Sequence, residues 1–524
     1  MSEKLTALLI EPESKVKDEY ALIGNVAPFR GKFAYDYNLR VAPAQSDLKA
    51  LILEHKPDFI IYDTSKISNT TTASFSIKHH DYAPQIPRIA FVTTDAHSKQ
   101  KPYIFTALTN LKVERFFCVD LGMSELSGGF NDKTISMPWF VDESIFKDYK
   151  LHKEFPIGLI GHGFKIDKTD LRYPWRQEIV AALLGKIPFV TYPRPDKKTP
   201  HGLTGEKYAR LLNRCQFGFC CGGARSTFVK KMVEIPASMS CLVTHHSQAV
   251  QEMGFIDQVN CLVVTPNDVV DKCLYYTNNQ NELRNITRKG HHLVLSKHSM
   301  RARNQISDWF NLRSTNPIAN DKITQLSISS PLTIGRNKPK IQVKSEFLKC
   351  ITQGVSSLRR SNLSAAADSF EKLKSYISFS PEQHYYNTIL HIMRRDLTLL
   401  RYEIKKVHLL LNNNTDDNDP SLLGLYLLGR SMLGQKKLAL KHIGQVSCGN
   451  LFLKEVLSKE YEATLNECQF DQPSCFAYPS NTKDVHALML SCQSRSDSFI
   501  TYFKKTYKEI SSTISAHAKF KSSK

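Results

Sequence analysis

Short apolar runs without internal alternation recur along the first half of the chain, separated by segments of helical spacing. Leu5 to Ile10, Pro57 to Asp63, Ile86 to Thr94 and Arg115 to Val119 read as strands, with Ser46 to Glu54 a helix between the first two. Strands that are apolar on both faces and separated by helices predict a parallel sheet covered on both sides. Ser136 to Phe146 breaks this pattern, and a second alternation follows. Its strands are Phe155 to Ile160, Pro188 to Tyr192, Phe217 to Cys221, Cys241 to Thr244 and Cys261 to Thr265. Its helices are Trp175 to Leu184, Thr204 to Arg214, Asn267 to Thr277 and Ser299 to Leu312. From Phe347 the apolar spacing is helical throughout, in six segments from Phe347 to Arg359 through Lys437 to Val446.

The pattern predicts two Rossmann-like α/β domains in tandem, residues 1–135 and 136–315. A Ser-, Pro-, Asn- and Lys-rich linker follows over 316–345, then an all-α domain over 346–470 and a basic, partly disordered extension over 471–524. Gly354, Ala366 and Phe370 are spaced as in a tetratricopeptide unit, with a weaker echo from Gly429 to Ala439. A TPR-like array and a plain helical bundle both fit.

The 524 residues are too many for one ordinary core. No apolar run approaches the length that crosses a bilayer, and the opening apolar segment lacks a signal-peptide cleavage site. The 12 cysteines form no disulfide framework and no zinc spacing, so buried free thiols in a cytoplasmic protein are expected. A net charge of +20 draws anions. Its positive residues are dispersed, with mild concentrations at Lys338 to Lys344 and Lys504 to Lys524, and no dedicated nucleic-acid module is evident. General solubility and a polyanion site both remain open as its reason.

Candidate chemistry gathers at strand ends. Gly161-His162-Gly163 with Lys165 and Arg176 could bring backbone amides and cations against a diphosphate, or form a plain turn before a basic helix. Gly222-Gly223-Ala224-Arg225 leads into a basic segment holding Lys230, Lys231 and Glu234, which Pro236 limits. There Ser226 or Thr227 is the expected cap and Glu234 is expected near the helix end, where a carboxylate gains nothing from the macrodipole. It reads either as a ribose contact or as a solvated surface residue. In the first domain Asp95 and His97 follow a strand and could position or deprotonate a hydroxyl, or be a helix cap and an incidental histidine. His245-His246 follow a strand and could line the cleft, but adjacent histidines point in different directions and the pair reads as incidental, as do His79-His80 and His291-His292.

Residues from Ser136 to about Phe310 resemble the C-terminal half of a GT-B glycosyltransferase of the CgeB/YkvP spore-maturation type, within the group 1 glycosyl transferases. Met137-Pro138-Trp139-Phe140-Val141-Asp142, Arg176, Tyr208 to Asn213, Glu234-Ile235-Pro236-Ala237, Gly254 to Asp257 and Asn260 to Val263 carry the likeness. The resemblance implies a UDP- or GDP-sugar clamped by the second domain, with Glu234 on the ribose. Gly161, His162, Lys165, Arg176, Gly222, Gly223, Arg225 and Lys230 would serve the donor. It implies hexosyl transfer to a glycan, lipid or protein acceptor met by the first domain, and neither a cofactor nor a metal. Where related retaining enzymes carry a first glutamate, this chain has Ser226, so a non-catalytic scaffold is the alternative. A helical domain that binds the acceptor or a protein partner would be dispensable for donor binding, so deletion from Ser345 onwards is expected to spare it.

Overall fold

The computed structural model describes residues 4–11, 27–64, 75–96, 98–160, 174–192, 203–222, 227–315, 323–325, 330–335, 346–376, 380–411, 419–435 and 475–476. The first unit comprises β1 (Thr6–Glu11), α1 (Ala27–Asp36), β2 (Asn38–Pro43), α2 (Leu48–His55), β3 (Phe59–Asp63), β4 (Arg88–Val92), α3 (Lys101–Asn110), β5 (Arg115–Cys118) and β6 (Thr134–Ser136). The second comprises β7 (Phe155–Ile160), α4 (Pro174–Leu183), β8 (Phe189–Tyr192), α5 (Gly205–Arg214), β9 (Cys215–Phe219), α6 (Lys231–Ala237), β10 (Cys241–Thr244), β11 (Leu262–Val263), α7 (Val269–Asn278) and α8 (Gln280–Lys297). Then come α9 (Gln305–Thr315), the short strands β12 (Ile323–Gln325) and β13 (Leu332–Ile334), and five helices. These are α10 (Glu346–Arg359), α11 (Leu363–Tyr376), α12 (Pro381–Arg394), α13 (Leu397–Leu410) and α14 (Pro420–Met432).

Both large sheets are parallel throughout. Their strand orders are β2-β1-β3-β4-β5-β6 and β11-β10-β9-β7-β8. Alternation sorts the first sheet into two cores. Leu8, Ile10, Ile60, Tyr62, Ala90, Val92 and Phe116 face one, while Ala7, Leu9, Phe59, Ile61, Ile89, Phe91 and Phe117 face the other. On the second face, Phe29 of α1 packs on Phe91 with ring centroids 4.2 Å apart, and Trp309 of α9 meets Phe117 edge-on at 6.2 Å. So α9 follows the second unit in sequence but completes the first.

The return to the first unit explains why this helix starts later than its apolar pattern predicts. Residues 298–300 instead bridge the inter-unit linker: Val141 N–H donates to His298 O at 3.0 Å, and Met300 N–H to Val141 O at 2.7 Å. His298 is buried there between two fixed partners, with its Nε2 2.7 Å from Met253 O and its Nδ1 accepting from Arg303 at 2.7 Å. Burial, with the Arg303 charge second, holds its pKa down at about 3. Within the stretch read as a linker, β12 and β13 pair antiparallel. The Gln325 amide both accepts from Ser136 N–H and donates to Ser136 O, each at 3.0 Å, which pairs the exposed edge of β6 with a side chain.

The helical region is not a detached module. One continuous core joins the first face of the first sheet, α2, α3 and the helices α10 to α14. Helix α3 is consequently buried almost all round, from Lys101 through Leu108, as a helix sandwiched between two layers must be. At that boundary Lys101 forms a salt bridge with Glu382 of α12, both side chains fully buried. Lys101 also donates to Leu126 O at 2.6 Å, and Glu382 accepts from Ser380 Oγ at 3.0 Å. Phe476, from the extension, stacks on Tyr385 at 4.2 Å, and Cys475 N–H donates to the buried Asp419 at 3.2 Å. Within the array, Gly354 lets Phe370 lie against the α10 backbone, since any Cβ there would collide with that ring. Ala439, the far end of the weaker echo, lies outside the described residues.

Two results are expected from this interface. Lys101→Met, which strands a buried carboxylate, should cost about 3–5 kcal/mol. The double variant Lys101→Met/Glu382→Leu should recover most of that loss in thermal unfolding of the full chain. Equal loss in both would mean that packing, not charge, governs the boundary.

Candidate functional site

Parallel α/β sheets bind ligands at the carboxyl ends of their strands. In the second unit those ends belong to β7, β9 and β10, central in the sheet, and α6 is brought down onto them by one close approach. A Cβ at Gly218 of β9 would lie 2.6 Å from Cγ2 of Ile235, so only glycine lets α6 sit at this depth. The far end of α6 is tied by Asn213, whose Nδ2 donates to Ser238 O at 2.9 Å while its Oδ1 accepts from Leu151 N–H at 3.0 Å. His291 Nδ1 lies 3.1 Å from Pro236 O, tying α8 to the same helix.

This seating buries Glu234 and pairs it with Lys230, Nζ to Oε1 at 3.1 Å. The next residue, Lys231, donates to Ile160 O at the end of β7. Tyr208 of α5 is buried beside them. Burial first and the Glu234 charge second push its phenol well above the ordinary value, and its hydroxyl has no partner among the described residues. Helix α6 begins only at Lys231, so Glu234 occupies its first turn rather than its end. A carboxylate is favoured there by the macrodipole, which removes the sequence argument that this residue has no stabilising part in its helix. Nor does Thr227 cap the helix; its Oγ1 donates to Gly222 O at 3.4 Å.

Arg176, read from sequence as a cation facing a ligand, is buried instead. Its Nε meets Cys221 Sγ at 3.3 Å and its Nη2 donates to Cys221 O at 3.1 Å, so the guanidinium fixes the chain leaving β9. Gly222 follows directly and is itself buried. Asp95 stands on the other sheet, exposed, three residues past β4. His97, Gly161, His162, Lys165, Gly223, Arg225 and Ser226 lie outside the described residues. Among the described residues, no group of three or more His, Cys, Asp or Glu side chains could hold a metal ion, and no helix is long and apolar enough to cross a membrane. The described cysteines are free and buried.

Two more residues stand at the same strand ends, Thr244, which the sequence reading did not single out, and His245, which it set aside as incidental. Thr244 closes β10 with a buried hydroxyl that finds no partner among the described residues, and His245 follows it with both ring nitrogens in the same condition. A doublet of histidines in a sequence does not say which one turns inward. Position at the exact end of a strand was the available signal.

A family model described as Glycosyl transferase-like matches residues 169–307, the stretch that contains α4 to α8 and every second-unit residue named above from Arg176 to His291. No curated protein matches the chain. Among solved structures, the chain is similar to Alr3699/HepE of Anabaena in complex with UDP-glucose, at 11% identity and a TM-score of 0.38, over 59% of this chain and 99% of that one. A glycosyltransferase from Rickettsia africae gives 13% identity and 0.36 over 60% and 97% of the two chains. Sucrose-phosphate synthase from Thermosynechococcus elongatus gives 11% and 0.35 over 60% and 100%.

Gly218→Val should cost about 1–3 kcal/mol through overpacking. It should also lift Glu234 off the strand ends, visible as loss of the protection of the α6 amides in hydrogen exchange. An unchanged exchange pattern would show that α6 is held by its other contacts.

Proposed function

We propose that the protein is a glycosyltransferase that moves a hexosyl group from a UDP- or GDP-sugar to a glycan, lipid or protein acceptor, without a resident metal. The observation that carries this reading is the buried Glu234, paired with the partly exposed Lys230 near the ends of β7 and β9, inside the segment matched by the glycosyl transferase-like family model. A carboxylate at that depth suits the paired hydroxyls of a ribose, since it can accept two hydrogen bonds at once. It is already held by Lys230, so a ligand would find it preorganised.

In this reading the donor lies across the ends of the second sheet. Backbone amides at Gly222 and Gly223, with Gly161 and His162 opposite, would approach the diphosphate. Lys165, Arg225 and Lys230 would offset its charge as it leaves. Arg176 acts at one remove, by fixing Cys221. The acceptor hydroxyl attacks the anomeric carbon, the bond from that carbon to the diphosphate oxygen breaks, and the acceptor proton passes to a base. Asp95, with His97 beside it in sequence, is our candidate for that base, because it ends a strand of the first sheet. The architecture would then be GT-B, of the CgeB-like kind. The helical region would serve acceptor or partner binding as a TPR-like array. Ser226, in place of a first motif glutamate, favours the other reading, a GT-B scaffold that binds without transfer.

Calorimetry with UDP and GDP tests the donor site. Micromolar binding of one of them by the wild type, weakened by about tenfold or more in Glu234→Ala, is the expected result. Binding by neither would remove the proposal. Binding without turnover of any UDP- or GDP-hexose would leave the scaffold.

A further inference from the structure

Besides the groups already used, the second unit holds a partly buried imidazole whose two shielded nitrogens are unpaired among the described residues. His245 follows β10 directly, and neither Nδ1 nor Nε2 has a hydrogen-bond partner among the described residues, although both are shielded from solvent. Its neighbour His246 is exposed and lies 3.2 Å from Gln251 Nε2, so only the first of the two faces inward. A buried polar group left unpaired is costly, and native structures keep few of them without a reason such as a ligand.

The surroundings narrow what such a ligand would be. The His245 ring lies against Trp175 with centroids 5.9 Å apart and an interplanar angle of 49°. Trp175 is itself anchored: its Nε1 donates to Val264 O at 3.4 Å, just past β11, and its ring packs on Phe219 of β9. The imidazole is uncharged at neutral pH, since burial, then His246 and Arg176, hold its pKa down at about 4. Thr244 adds one more buried, unpaired hydroxyl at the same strand end. An anionic diphosphate would favour a charged partner, and of the cations near these strand ends Lys230 and Lys231 stand at the start of α6, while Arg176, whose charge reaches His245, is bonded to Cys221. A neutral ring that can both donate and accept, set beside an indole, suits a flat heterocycle with its own donors and acceptors.

We infer that His245 is a ligand-contacting residue of the donor site, hydrogen-bonding the nucleobase of the nucleotide beside Trp175. The inference rests on the nucleotide-sugar reading above and adds an orientation to it. The base lies toward the ends of β10 and β11, and the diphosphate toward Lys230 and Lys231.

His245→Leu and His245→Gln in the full chain test this by calorimetry with UDP, GDP and inorganic pyrophosphate, alongside thermal unfolding without ligand. His245→Leu should weaken the bound nucleotide about tenfold, the scale of one lost hydrogen bond. It should leave pyrophosphate affinity unchanged, and His245→Gln should restore part of the loss. Without ligand, His245→Leu should unfold no lower than the wild type, because it removes two unpaired buried nitrogens. Equal weakening of pyrophosphate and nucleotide would overturn the orientation. Unchanged nucleotide binding, or a lowered unfolding midpoint as the sole effect, would make His245 a packing residue while leaving the donor site standing. Failure of the wild type to bind either nucleotide would overturn this inference together with the reading it rests on.

Discussion

The candidate site depends on how deeply one short helix sits against one strand. Gly218 admits Ile235 to the surface of β9, and that contact lowers α6 until Glu234 and Lys230 reach the strand ends. The remaining ties hold this position rather than create it. Asn213 ties the tail of α6 to the linker side, His291 ties Pro236 to α8, and Lys231 reaches the end of β7. Arg176 works in the same sense from α4, fixing Cys221 just past the end of β9. Among the described residues, Tyr208, Thr244 and His245 carry shielded polar atoms without a hydrogen-bond partner in this unit.

The first unit is built on a different dependence. Its sheet is apolar on both faces: α1 and α9 cover one, and α2 and α3 lie on the other. The latter shares its core with five helices that come more than 200 residues after β6. The buried Lys101–Glu382 pair lies at that seam. Such a pair adds little net stability but penalises any arrangement that separates its partners, so it fixes one docking geometry. This changes the meaning of a truncation at Ser345: it would uncover α3 and the core it shares with the helices rather than remove an accessory. A role for the helices in acceptor binding would have to be tested by surface substitutions, leaving the shared core intact.

Much of the architecture was legible from the chain. The strands of both parallel sheets except β2 and β6, and five of the helices after residue 345, follow from apolar runs and helical spacing, because buried parallel strands and amphipathic helices leave strong patterns. The elements that the pattern did not disclose have physical reasons. Edge strand β2 alternates polar and apolar residues and is half exposed, and α3 is apolar on every side, which erases its periodicity. β12 and β13 are three residues each, too short for any pattern. For the site, sequence singled out Glu234 and Lys230, which lie together, but misplaced Glu234 within its helix and did not disclose that Arg176, a candidate donor cation, is buried against Cys221. The depth of a side chain is set by tertiary contacts such as Gly218 with Ile235, which no local window contains. The same reason hid His245: whether a histidine after a strand faces in or out depends on Trp175, 70 residues earlier in the chain.

The central claim is that a nucleotide binds at the carboxyl ends of the second sheet. Hydrogen exchange of the full chain, read by mass spectrometry with and without UDP or GDP, tests it most directly. The account predicts new protection confined to the segments around Cys221–Gly222, Lys230–Glu234 and Thr244–His246, with the first unit and the helical region unchanged. Protection concentrated in α10 to α14, or none with either nucleotide, would contradict it.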